Sequence, residues 1–143
     1  MFIKHKFNKI FLAFAILALA ISCRKDDQFI PFVNVDIYIN VNQPAYFHLT
    51  SVSGWDTIEG GSKGLIAYRS SQDEIIVYDR HCTFEPNESD CNAASVNSDN
   101  VTVDCCDGSK YLLHDGSILN GPASYPLHRY RTTFDGTTLH IFN

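Results

Sequence analysis

Four cysteines in two short stretches carry the reactive chemistry of this 143-residue chain. Cys82 stands in Y-D-R-H-C-T-F-E-P, from Tyr78 to Pro86. Cys91 lies in the polar insert that follows. Cys105 and Cys106 are neighbours in V-D-C-C-D-G-S-K-Y, from Val103 to Tyr111. Thiolates act as nucleophiles, as metal ligands and as disulfide partners. An even number of cysteines in an exported chain reads first as disulfides, and four allow three pairings between which sequence does not choose. The metal alternative is zinc or an all-thiolate iron–sulfur site on Cys82, Cys105 and Cys106, with Asp104 and Asp107 at hand as oxygen donors. Vicinal cysteines suit one tetrahedral metal poorly, because adjacent side chains diverge.

The other reactive types form no constellation. There is no C-x-x-C pair for dithiol redox chemistry. Asp73 and Glu74 are adjacent at a turn, where carboxylates are solvated. Gly60-Gly61-Ser62-Lys63-Gly64 lacks phosphate-loop spacing, no helix follows it, and it reads as a hairpin turn. His81 precedes Cys82 and points away from it on an extended loop. His114 sits beside the Asp115-Gly116 turn and reads as exposed. His48, His128 and His140 lie in or beside strands far from the cysteines in sequence. Each reads as an ordinary surface or core histidine, and Trp55 as core.

The elements that must position these residues are short strands. Val33, Val35, Ile37, Ile39 and Val41 alternate with polar residues and Tyr38, the period of a half-buried strand. Ala45–Thr50 reads as a second strand and Gly54–Ile58 as a third. Leu65–Arg69 and Ile75–Tyr78 are apolar runs of the buried type, and the second delivers the chain into the first cysteine loop. Glu85–Asn100 is a polar loop with room for one short strand. Val101–Val103 leads into the second cysteine loop. Lys110–Leu113, Ile118–Leu119, Leu127–Thr133 and Thr138–Phe142 follow, the last two joined across an Asp-Gly hairpin signal at Asp135-Gly136. No segment sustains a helical period. The chain reads as all-β, a small sandwich or barrel.

The stretch from Cys105 to Tyr130 resembles the cluster-binding half of the Rieske [2Fe–2S] family. There the first loop reads C-x-H-x-x-C and the second C-x-C-H-G-S, followed by a strand, a turn and G-P-A-x-x-P-L. Gly108, Ser109, Tyr111, Gly116, Gly121, Pro122, Ala123, Pro126 and Leu127 stand where the family's residues stand. The resemblance implies a Rieske-like antiparallel β-sandwich: a base of strands from early and late in the chain, and a small subdomain carrying both cysteine loops. It covers roughly Gly60 to Asn143. The family's cluster takes one cysteine and one histidine from each loop. Cys82 holds the first cysteine position, but Phe84 stands at the first histidine position and offers no lone pair. Without gaps, Asp107 takes the second histidine position, Asp104 the second cysteine position and Cys106 that of the family's non-ligand cysteine. A one-residue shift makes Cys105 the thiolate ligand.

The resemblance also implies pairings. Cys91 and Cys106 match the family's loop-to-loop disulfide. Cys82 and Cys105 would then face each other where two thiolates share an iron, close enough to bond when no metal is bound, with Cys105 and Cys106 able to trade roles. The cofactor expected is therefore none, with [2Fe–2S] electron transfer as the alternative function.

Residues 1–22 read as a lipoprotein signal peptide. Lys4, Lys6 and Lys9 form a basic start, and Phe11–Ile21 is an apolar run of about eleven residues, too short to span a bilayer. Leu19-Ala20-Ile21-Ser22-Cys23 resembles a lipobox, which makes Cys23 the lipidated N-terminus. Residues 23–31 form a tether and 32–143 the domain. Lys25-Asp26-Asp27 resembles the export signal of surface-displayed lipoproteins and reads equally as a short charged tether, so the expected location is the outer membrane, with the periplasmic face and the cell surface both open. Without Lys4, Lys6 and Lys9, eight basic residues remain against all sixteen acidic ones. A net charge of about −8 disfavours nucleic acid and anionic membrane surfaces as partners. The expected function is a binding or structural lipoprotein, held to a membrane by its lipid, with a protein partner that sequence does not name.

Overall fold

The apolar runs Leu65–Arg69 and Ile75–Asp79 become the shared wall of two cores. The structure is a computed structural model that describes residues 30–84, 86 and 93–143. The signal peptide, Cys23, most of the tether and Cys91 lie outside the described residues. Among the described residues, a six-stranded antiparallel sheet has the order β1 (Asp36–Asn40), β10 (Thr138–Phe142), β9 (Arg129–Phe134), β4 (Ile75–Asp79), β3 (Leu65–Arg69), β2 (Trp55–Ile58). A smaller sheet runs β5 (Ser95–Val96), β6 (Thr102–Asp104), β7 (Lys110–Leu112), β8 (Ile118–Asn120). The fold is all-β, with a small subdomain that carries the cysteine loops.

Side chains alternate across a strand, so β3 and β4 present two faces. Leu65, Ala67, Ile75 and Val77 point into one core, which also takes Ile39 from β1 and Ile58 from β2. β1 and β2 are opposite edges of the large sheet, so a core that they share requires the sheet to curl. Ile66, Ile76 and Tyr78 point the other way. They meet Val103, Tyr111, Leu113 and both Cys82 and Cys105 in a second core under the small sheet. Strands buried on both faces read as unbroken apolar runs, which is how β3 and β4 look in sequence.

The ends of the chain close the base. Val35 donates its N–H to Asn143 Oδ1 at 2.6 Å, and Asn143 N–H returns to Val35 O at 3.3 Å. The β9–β10 hairpin turns where Asp135-Gly136 predicts it. Asp135 Oδ1 accepts from Thr138 N at 2.7 Å and Thr137 N at 2.9 Å. Those N–H groups, Thr138 first, hold the Asp135 carboxyl below the usual range.

The expected strand Ala45–Thr50 is instead a pair of short 3-10 turns over Pro44–Thr50, broken at Tyr46. Proline opens a helical turn readily because its missing N–H would have no partner there. Leu49 alone is buried in it, and Phe47 faces solvent. Val33–Val35 precede β1 rather than belong to it.

Candidate functional site

Both cysteine loops hang from strands that are fixed by buried polar groups. β4 ends at Asp79, which is fully buried. Its carboxylate accepts from Ser62 N at 2.7 Å, His81 N at 2.8 Å, Tyr130 O–H at 2.9 Å and Lys63 N at 3.2 Å. A buried carboxylate is tolerated when donors surround it. Here the donors come from the Gly60–Gly64 turn, the first cysteine loop and β9, so one side chain fixes three segments. Gly61 has φ of +63°, and a Cβ there would run into the same carboxylate. Burial, with the negative Asp79 beside it, pushes the Tyr130 phenol well above its ordinary pKa.

The first loop crosses the second core. Thr83 Oγ1 donates to Tyr125 O at 2.7 Å, which leaves its lone pairs for Tyr111 O–H at 3.0 Å. Phe84 packs against the second core. In the second loop, Cys105 N–H donates to Ser109 O at 2.9 Å and Gly108 N–H to Cys105 O at 3.1 Å. Asp107 Oδ1 accepts from Ser109 N at 2.6 Å. Ser109 is fully buried, and its hydroxyl accepts from Ala123 N at 3.1 Å, which ties the loop to the Gly121-Pro122-Ala123 turn.

Cys82 and Cys105 are joined by a disulfide across the two loops, with Cα atoms 6.0 Å apart. Cys106 is disulfide-bonded as well, and it is exposed where Cys105 is buried. The vicinal pair thus diverges as expected. Cys91, the partner that the resemblance implies for Cys106, lies outside the described residues.

The acids of the second loop are both half-buried. Asp104 Oδ2 accepts from Asn97 Nδ2 at 3.1 Å and from Lys110 Nζ at 3.3 Å. Asp104 Oδ1 and Asp107 Oδ2 are buried with no hydrogen-bond partner among the described residues. A carboxylate oxygen of Asp107 and the sulfurs of Cys82 and Cys105 lie within 4.8 Å of one another. Nothing in the sequence marks one oxygen of the half-buried Asp107 as enclosed; its neighbour Gly108 suggests an exposed turn.

This donor set does not fit a [2Fe–2S] centre with two imidazoles. Of the two positions that the resemblance would give to histidines, one holds the half-buried phenyl ring of Phe84 and the other the Asp107 carboxylate. His81 is buried and committed: Nε2 is 2.7 Å from Pro86 O, which can only accept, and Nδ1 is 2.7 Å from Ser62 Oγ. His114 is exposed and edge-on to Tyr68. His48 binds Asp56, His140 binds Asp36, and His128 sits edge-on to Tyr130. Only once the disulfide is reduced do Cys82, Cys105 and Asp107 offer two thiolates and a carboxylate.

Reading the Gly60–Gly64 run only as a turn overlooks its Gly-x-Ser-x-Gly order and the Ser62–His81 pair. The pair does not make a hydrolase. A nucleophile elbow needs a strand-turn-helix setting, and this turn joins β2 to β3. The backbone N–H groups of Ser62 and Lys63 point at Asp79 instead of a substrate oxygen.

No protein-family model matches the chain, and no curated protein matches it. Among the described residues, no helix is long and apolar enough to cross a membrane.

Proposed function

We propose that the chain is an exported, lipid-anchored domain of the Rieske-like fold in which a disulfide joins the two loops that hold the cluster in that family. It serves as a binding or structural component at the outer-membrane surface and not as an electron carrier. The observation that carries this reading is the Cys82–Cys105 bond between loops whose histidine positions hold Phe84 and Asp107. Two features of the architecture support the fold. The early β1 pairs with the late β10 in the base, and the first cysteine loop leads from β4 of that base toward a separate four-stranded sheet, whose β6 and β7 carry the second. Residues of the family pattern also stitch the loops together here: Ser109 to Ala123, and Tyr111 to Thr83. The lipid anchor rests on the basic start, the apolar run and Cys23.

The test is thiol counting on the mature protein, purified from cell envelopes under an alkylating agent and weighed intact. Cys82, Cys91, Cys105 and Cys106 should all escape alkylation until a reductant is added, and all be alkylated afterwards. Alkylation of Cys82 and Cys105 without reductant would overturn the disulfide reading and return those thiolates to the pool of metal ligands.

A further inference from the structure

The described chain begins beside the first cysteine loop. Ile30 lines a groove of about 210 Å³ with Thr83, Tyr125, Pro126, Leu127 and Arg129. Residues 24–29 separate Cys23 from Ile30, and seven fully extended steps span at most about 24 Å. Phe32 is 81% exposed and Tyr125 42% exposed. Exposed aromatic rings beside an arginine are a composition that settles between acyl chains and headgroups: the Phe32 ring is wholly apolar, while Tyr125 and Arg129 pair an apolar body with a polar tip.

We propose that this edge, with Phe32 and Tyr125 foremost, rests on the bilayer that holds Cys23, so that the first cysteine loop lies on the membrane side of the domain. The inference builds on the lipid-anchor reading. Tether length argues for this orientation over the reverse. Arg129 opens β9 and the Gly136 turn closes it, so the two sit at opposite ends of a strand about 20 Å long. With the Gly136 end on the bilayer, nearly the whole tether would be drawn taut alongside β9. The chemistry of the contact follows from charge. A domain of about −8 gains nothing from anionic lipid, so the attraction is apolar and insensitive to salt. A partner that reads the cysteine loops would then sit in or on the membrane.

The experiment uses the full mature lipoprotein in phosphatidylcholine vesicles with brominated acyl chains. Trp55 is the one tryptophan of the chain, so Trp55→Phe gives a silent background. Single reporters are placed by Phe32→Trp, by Tyr125→Trp and, at the hairpin, by Thr137→Trp. Quenching should be several-fold stronger at positions 32 and 125 than at 137 and unchanged by high salt. Equal quenching at 32 and 137, or stronger quenching at 137, overturns the orientation. Shielding of position 32 from an aqueous quencher in the unacylated Cys23→Ala protein, in buffer without vesicles or detergent, would assign the edge to a second copy or a soluble partner and also overturn it. Protein that fails to float with vesicles and whose N-terminal peptide carries no acyl mass overturns the anchor as well. Protein that floats without quenching at position 32 overturns the orientation alone.

Discussion

Single residues decide what the two loops can do, and Cys82 and Cys105 bond the loops to each other. The Cys82–Cys105 bond closes a sequence separation of 23 residues. By chain-entropy reasoning such a bridge contributes about 3 kcal/mol. Replacing both cysteines with alanine should lower the thermal midpoint by about 10 °C, read by circular dichroism. An unchanged midpoint would mean that the loops are held by their hydrogen bonds alone. Two buried tyrosines make an opposed pair. Among the described residues the buried Tyr78 hydroxyl has no hydrogen-bond partner, whereas Tyr130 donates to Asp79. Tyr78→Phe should therefore be neutral or slightly stabilising, while Tyr130→Phe should lose about 1–3 kcal/mol in urea titration because it takes a donor from a buried carboxylate. Desolvation raises both phenols above their ordinary pKa. A raised phenol stays neutral in the fold while the unfolded chain ionises, so its contribution is complete below about pH 10 and lost above it. The urea midpoint should fall from about pH 10 upward, less steeply in Tyr78→Phe. A flat profile in the unmodified protein would contradict this.

At the scale of elements, legibility followed burial pattern. β3 and β10 match the sequence reading at both ends because their periodicity is unambiguous: buried on both faces in β3, alternating in β10. Pro44–Thr50 misleads because Ala45, Phe47 and Leu49 alternate as in a short strand, while Tyr46 and Leu49, three apart, share one face of a helical turn; the partner surface decides, and sequence does not show it. The pairing of Cys82 with Cys105 was legible only through the family resemblance, since spacing alone leaves three pairings open. The enclosed Asp107 Oδ2 and the role of Asp79 are not legible, because both depend on which segments fold back over them. Turns offer a direct comparison. Gly121 and Gly136 both have positive φ, +104° and +94°. A Cβ at Gly121 would strike the backbone of Ser109, while at Gly136 it would meet open space. Gly136→Ala should lose about 1–2 kcal/mol, the conformational penalty alone. Gly121→Ala should lose about 2–4 kcal/mol, because the second loop must also shift. Equal losses in chemical denaturation would show that the Gly121 turn moves freely away from Ser109.

For the whole molecule, the account is of a scaffold that keeps its two-loop geometry by covalent linkage. The base fixes β4 and β9, Asp79 fixes the turn and the first loop, and the subdomain core encloses the disulfide. Metal binding would require the Cys82–Cys105 bond to be open. The most direct test is to purify the mature protein from iron-replete, anaerobic cells and measure bound iron, acid-labile sulfide and the visible spectrum on one sample. The account predicts a colourless protein without iron or sulfide. Iron and sulfide bound in equal, stoichiometric amounts, with visible charge-transfer bands, would contradict it and mean that a donor set without the two loop imidazoles holds a cluster.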